Sequence, residues 1–169
     1  TRSYKYDTIN LVIIMSKELK YKQILEQLPY LLEDIQYDIS ILANTSALIA
    51  QYIEGLNWVG FYINKNETLL LGPFQGLVAC IKIPFNKGVC GACATKNETI
   101  LVENVHEFPG HIACDSRSNS EICVPININN KFYGLLDIDS PNLSHFDNID
   151  KIYLEEIIKI VESKLALII

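Results

Sequence analysis

Apolar positions recur at helical spacing near both ends of the chain and at strand spacing between them. From Glu33 to about Ile53, the residues Ile35, Ile39, Leu42, Ile49 and Ile53 fall at steps of three, four or seven, which predicts one face of a long helix. A shorter helix is expected before it, around Glu18 to Leu32, with Pro29 kinking or ending it. A last helix is predicted from about Asp147 to the C-terminus, on the stripe Ile149, Tyr153, Ile157, Val161, Leu165 and Ile168. Between these lie runs rich in β-branched and aromatic residues. Strands are predicted over residues 57–63, 67–71, 77–83 and 99–102, with GPFQG at 72–76 breaking the pattern and a short small-residue helix over 88–95. Residues 104–120 read as a polar loop. The runs 122–128 and 131–138 read as a hairpin, because Asn129 and Asn130 tolerate the positive φ of a tight turn. Two helices, several strands joined mostly by short turns and a closing helix predict an α+β domain, an antiparallel sheet covered by helices.

Length and composition narrow the class. The 169 residues suit one domain, and 49% hydrophobic against 20% charged residues suits a packed core. A net charge of −6 argues against nucleic acid, which needs a basic surface. No apolar run reaches the length of a membrane span. The run Leu11–Met15 is too short for a signal-peptide core, and the stretch from Met15 onward looks like an ordinary start. Residues 1–14 are therefore expected to be an upstream extension or a cloning remnant, and residues 15–169 a single domain. Five cysteines without an export signal read as reduced thiols in the cytoplasm.

Several residues carry candidate chemistry. Trp58, Gly60 and Tyr62 share a strand face, where a glycine between two aromatics leaves a gap beside flat walls. Such a gap suits a cation or a sulfur atom, although plain core packing explains the pattern as readily. Asp137 and Asp139 share a face of the second hairpin strand. Two carboxylates so close repel, so one holds its proton to higher pH and the pair can bind an ammonium group or donate a proton. Glu121 opens the partner strand. A plain two-residue hairpin would set it opposite Ile138 and turn it away from the aspartates, so convergence of the three acids requires a bulge or a place for Glu121 in the loop.

Cys114 lies on the polar loop, with Cys80 and Cys90 upstream as thiols that a self-oxidising enzyme could use. His106 and His111 flank Pro109-Gly110 and read as solvent-facing, with His111 a neighbour that could lower the pKa of Cys114. Cys90, Cys93, Cys114 and Cys123 could be taken as four zinc ligands, but the second pair is too widely spaced and Cys123 alternates with apolar residues on a strand, so no metal site is expected.

The segments NWVGFY at 57–62, GPFQG at 72–76, IPFNKGVCG at 83–91, VHEFPGHIACDSRSNSEI at 105–122 and GLLDIDSP at 134–141 resemble the free methionine-(R)-sulfoxide reductases, small enzymes built on a GAF domain. The resemblance spans about residues 56–147. It implies a GAF-like sheet of about six antiparallel strands, with the 33–53 and C-terminal helices together on one side. It also implies reduction of free, not peptide-bound, methionine sulfoxide of R configuration at sulfur. The family's three cysteines match Cys80, Cys90 and Cys114. Its substrate-binding acids match Glu121, Asp137 and Asp139, and its aromatic wall matches Trp58 and Tyr62. Cys93 and Cys123 match no motif position.

On this reading Cys114 is the nucleophile and passes through a sulfenic acid, and Cys80 or Cys90 closes a disulfide with it. Cys90 is a rival nucleophile, since a helix N-terminus would lower its pKa. The Cys114 loop is expected to cover a cleft floored by Trp58, Tyr62, Asp137 and Asp139. No cofactor is expected beyond an external dithiol, a thioredoxin-like partner. Neither nucleic acid nor membrane is an expected partner, and a homodimer is left open. The rival readings are a GAF domain that senses a small molecule without turnover and a purely structural module.

Overall fold

The computed structural model describes residues 2–111 and 114–169, except for the side chains of residues 2–15. The elements run α1 (Arg2–Leu31), α2 (Asp38–Tyr52), β1 (Trp58–Asn64), β2 (Thr68–Gly76), β3 (Lys82–Pro84), α3 (Gly88–Lys96), β4 (Ile100–Val102), a 3-10 turn (Val105–Glu107), β5 (Ser120–Ile128), β6 (Lys131–Ser140) and α4 (Asn148–Leu165). Six strands form one antiparallel sheet in the order β3-β2-β1-β6-β5-β4. The α+β architecture and the strand number agree with the sequence reading.

Alternation along the strands gives the sheet two different faces. Val59 and Phe61 of β1, Leu136 and Ile138 of β6, and Ile122, Val124 and Ile126 of β5 point to one side. There they pack with Tyr21, Ile24 and Leu28 of α1, Ile41, Leu42 and Ile49 of α2, and Leu154, Ile157 and Val161 of α4. The expected pairing of the 33–53 and C-terminal helices on one side is therefore present, with α1 added. A buried polar cluster ties α1 to α4. The Tyr21 hydroxyl donates to Asp150 at 2.7 Å, and Lys17 forms an ion pair with the same carboxylate. Asp147 caps α4 in a capping box with Asp150, which satisfies backbone N–H groups that the first turn leaves open.

Several boundaries differ from the sequence reading for identifiable reasons. Pro29 lies near the end of α1, as expected. It lies inside the helix, and the helix stops two residues later, at Leu31. The backbone of residues 2–14 continues the same helix. α2 begins at Asp38 rather than Glu33, because the chain turns at Asp34 with φ 58°. Its buried face is Ile41, Leu42, Thr45, Leu48 and Ile49, and Ile39 is exposed.

β2 continues through GPFQG, where a break was expected, but with a register shift at Gly72-Pro73 opposite Phe61. Gly72 lets the strand lie against the Phe61 carbonyl, since a Cβ there would come within 2.9 Å of that oxygen. β3 is confined to Lys82–Pro84. Residues 77–81 form an exposed loop after Gly76, not the start of a strand over 77–83. The hairpin at Asn129-Asn130 forms as expected, with φ 51° and 61°. Among the described residues no helix is long and apolar enough to cross a membrane.

Candidate active site

The second sheet face carries the chemistry. Adjacent strands place residues in rows across β1, β6 and β5: Trp58, Asp139 and Glu121 in one, Gly60, Asp137 and Cys123 in the next. A register shift between Ile126 and Asn127 makes this possible. The tight turn pairs Asn127 with Phe132, but Ile126 pairs with Gly134, so Tyr133 is an extra residue in β6. That bulge moves Glu121 from opposite Ile138 to opposite Asp139. All three acids then stand on one face.

α3 crosses this face and closes it from above. Its first turn supplies Gly88, Val89 and Cys90 to a small cavity, with the three acids as the floor and Cys114, Asp115 and His111 along the rim. Cys114 is joined to Cys80 by a disulfide with a Cα–Cα distance of 5.4 Å, within the span expected of a redox partner. Between the two partners the sequence left open, the structure pairs Cys80. The cavity holds about 30 Å³, room on the scale of one water and far less than an amino acid needs.

Polar contacts fix both sides of the bridge. The Trp58 indole Nε1 donates to the Leu77 carbonyl at 3.1 Å, and the Tyr62 hydroxyl donates to the Cys80 carbonyl at 2.9 Å. The two aromatics therefore anchor the Cys80 loop. The expected gap at Gly60 is filled by Phe74, whose ring stacks on Trp58 at 5.2 Å, and a Cβ on Gly60 would collide with it. Neither Trp58 nor Tyr62 lines the cavity in this disulfide form. On the other side, Arg117 clamps Asp115 through Nε and Nη2, at 3.0 and 2.6 Å. The Asn57 amide donates to Asp115 at 3.1 Å and to Ser118 at 3.0 Å. Arg117 holds the Asp115 carboxyl well below the usual carboxylate range.

Burial dominates the electrostatics of the floor. It pushes the carboxyls of Glu121, Asp137 and Asp139 up, and the charge of Asp137 pushes Glu121 and Asp139 further. The trio therefore retains protons where an ordinary carboxyl would have released them. At Cys90, the hydrogen bond with Cys123 lowers the thiol pKa, but burial and the carboxyls outweigh it and the net shift is well upward. The lowered pKa expected for Cys90 at a helix N-terminus is thus not found. His111 lines the cavity rather than facing solvent, and burial and His106 both lower its pKa. Its Nε2 is buried without a hydrogen-bond partner among the described residues.

Of the residues singled out from sequence, Cys80, Cys90, Cys114, Glu121, Asp137 and Asp139 converge on one spot, with Trp58 and Tyr62 behind the Cys80 loop. The zinc quartet does not assemble, because Cys114 is bonded to Cys80. Sequence reasoning missed the Asn57–Asp115–Arg117 clamp and the approach of Cys123 to Cys90. Asp115 and Arg117 meet locally, two residues apart, but only the fold brings Asn57 to them and Cys123 to Cys90.

The comparisons agree with this geometry. A GAF domain model matches residues 37–164. The free methionine-R-sulfoxide reductase of Escherichia coli (strain K12) is 45% identical over 128 residues, which is 76% of this chain and 78% of that protein. The X-ray structure of free methionine-R-sulfoxide reductase from Neisseria meningitidis in complex with its substrate superposes with a TM-score of 0.87 at 40% identity, covering 90% of this chain and 92% of that one. The reduced form of fRMsr of Staphylococcus aureus gives 0.84 at 49% identity, covering 86% and 95%. At such identity and coverage, the chain belongs to the GAF-domain family of free methionine-R-sulfoxide reductases.

Proposed function

We propose that this protein reduces free methionine-(R)-sulfoxide to methionine, with Cys114 as nucleophile and Cys80 as the thiol that resolves it. The observation that carries the reading is the Cys80–Cys114 bridge at the rim of a cavity floored by three buried carboxyls. The Cys114 thiolate attacks the sulfoxide sulfur. A protonated carboxyl of the floor donates to the departing oxygen, methionine leaves, and Cys114 carries a sulfenic acid. The Cys80 thiol condenses with it, releasing water and forming the disulfide. The two electrons that reduce the sulfur come from the two thiols.

Glu121, held protonated by burial and its acidic neighbours, is suited to donate the proton. Asp137, whose carboxyl accepts hydrogen bonds from neighbouring thiols, is suited to be the charged member that holds the α-ammonium of the substrate. A peptide-bound methionine sulfoxide lacks that ammonium, so the free amino acid is preferred. The cavity of the disulfide form is too small for substrate, so reduction of the bridge precedes binding.

The reaction calls for no bound cofactor. The reductant is an external dithiol of thioredoxin type. Leu77, Val78 and Ile81 lie exposed around Cys80 and give such a partner an apolar surface beside the bond it must attack. Three unbridged cysteines, Cys90, Cys93 and Cys123, suit a reducing compartment such as the cytoplasm.

A small-molecule sensor would have no use for a disulfide against its binding floor. The test is methionine formation with dithiothreitol from the R and S sulfoxides of L-methionine and from N-acetyl-methionine-(R)-sulfoxide. Turnover confined to the free R isomer is expected. Equal rates on the acetylated compound, or none on the free R isomer, sink the proposal.

A further inference from the structure

Two thiols and two carboxyls meet beneath the cavity, from three elements: Cys90 on α3, Glu121 and Cys123 on β5, and Asp137 on β6. One donor atom from each lies within 4.8 Å of all the others, and all four residues are buried. Cys90 Sγ is 3.6 Å from Cys123 Sγ and 3.7 Å from Glu121 Oε1. Cys123 Sγ is 3.3 Å from Glu121 Oε1 and 3.4 Å from Asp137 Oδ1. A tetrahedral zinc ion with bonds of about 2.3 Å to sulfur and about 2.1 Å to oxygen would set its ligand edges at about 3.8 Å between sulfurs and about 3.6 Å between sulfur and oxygen. The four distances match these edges within a few tenths of an ångström, and the remaining two pairs lie within 4.8 Å.

Cys123 takes no covalent part in the disulfide chemistry above; it only donates hydrogen bonds to Glu121 and Asp137. It reaches the cluster because the Tyr133 bulge sets it opposite Asp137, two residues along the same strand face from Glu121. An apolar residue would fill that place without setting a thiol among carboxyls. Among the described residues, the hydrogen bonds of these four side chains stay within the group.

We propose that Cys90, Cys123, Glu121 and Asp137 of the reduced protein form a binding site for a thiophilic divalent cation, with Zn²⁺ as the type, and that metal bound there shuts out the substrate. Two thiolates exclude Mg²⁺ and Ca²⁺, which take oxygen ligands. Two thiolates and two carboxylates give the site the same charge as the common four-thiolate zinc sites. Binding releases the protons of the four groups, and the cation replaces them as the charge that holds the cluster together. The coordination stands on the geometry alone. The exclusion of substrate rests on the assignment of Glu121 and Asp137 to substrate binding. The device makes the reductase sensitive to free zinc.

The test uses full-length protein reduced with a phosphine, so that no added thiol competes for metal. Titration with Co²⁺ should give one equivalent bound, with thiolate-to-cobalt charge-transfer absorption and the visible bands of a tetrahedral ion, both bleached by Zn²⁺. Cys123→Val should lose the spectrum and weaken zinc inhibition, measured against the variant's own metal-free turnover, by at least about 100-fold, more than the loss of an outer-shell partner costs. Cys123→Ser, which preserves size and polarity, should behave alike and guards against a folding defect. Cys93→Ala, a buried thiol outside the cluster, should leave metal binding unchanged. Absence of the thiolate band in wild type, or its survival in both Cys123 variants, overturns the site. If the band is present and depends on Cys123 but zinc inhibits without competing with methionine sulfoxide, the metal site stands and the assignment of the two acids to substrate fails.

Discussion

The two faces of the sheet share the same strands and differ in almost every other respect. Toward α1, α2 and α4, alternate residues of β1, β5 and β6 are Val, Phe, Ile and Leu, and helices cover them fully. Toward α3, the intervening residues of the same strands include Trp58, Gly60, Tyr62, Glu121, Cys123, Asp137 and Asp139, beside a smaller apolar cluster to which Leu135 belongs. One face minimises exposed apolar area. The other also buries ionisable groups, which is costly and is offset by the hydrogen bonds and shared protons within the cluster and by the apolar residues around it. A single strand with period two can therefore carry stability on one side and chemistry on the other. A substitution should affect one or the other according to the parity of its position.

The largest effect expected from breaking this division is at Cys114. Cys114→Ser should form no methionine even in a single turnover of reduced enzyme, because the attacking sulfur is gone. Cys80→Ser should form one equivalent and then recycle slowly, because the sulfenic acid has lost its nearest thiol. Mass spectrometry of the quenched protein checks both. One equivalent of methionine from Cys114→Ser would transfer the nucleophile's role to Cys90, against the upward shift that burial gives that thiol.

Next come the acids. Glu121→Gln keeps size but cannot supply the proton, and should lower kcat by about 10²–10⁴-fold. Asp137→Asn should instead raise KM with turnover largely kept, the pattern of a lost ground-state contact. Steady-state kinetics on free methionine-(R)-sulfoxide separate the two. The opposite pattern would exchange the two roles, and near-wild-type behaviour in both variants would end the carboxyl mechanism.

The apolar face predicts a contrasting result. Phe61 is fully buried and lies between Gly60 and Tyr62 in sequence, yet points away from both. Phe61→Ala should lower folding stability by about 3–5 kcal/mol through lost burial and an internal cavity. The protein that remains folded should keep its KM. Urea unfolding and kinetics on one preparation check this, and an altered KM with unchanged stability would contradict the division by parity.

What could be read in the sequence follows the same division. Helical stripes and the Asn129-Asn130 turn report local rules, and the architecture followed from them. The β2 strand through GPFQG was hidden, because its glycine and proline mark a register shift rather than an end, and pairing with β1 resumes beyond it. At the site, the residue types were legible and their arrangement was not. Whether Glu121 faces the aspartates depends on one extra residue at Tyr133, and nothing in the local sequence marks that bulge. The expected lowering at Cys90 counted the helix terminus and left out the carboxyls beneath it. Cys123 looked like a strand filler because its neighbours are apolar, and only the register brings it to Cys90.

The smallest effect is a pH dependence, and it tests the protonation of the chemical face without reference to activity. In the unfolded chain the carboxyls of Glu121, Asp137 and Asp139 titrate at about pH 4, whereas in the fold all three are raised by burial. Above about pH 4 the native state therefore holds protons that the unfolded state has released, and stability falls as pH rises toward the folded values. The slope is at most about 1.4 kcal/mol per pH unit for each proton held. His111 and His145, both lowered by burial, contribute with the opposite sign at mildly acidic pH, so the informative quantity is a difference between variants. Urea unfolding of wild type and of the combined Glu121→Gln, Asp137→Asn, Asp139→Asn variant, from about pH 5 to about pH 8, removes the histidine contribution. It also stays below the range of the raised thiols. The variant should gain on the wild type steadily as pH rises. Parallel curves would mean that all three carboxylates are ionised in the native protein, and the floor would then have no proton to give to the sulfoxide oxygen.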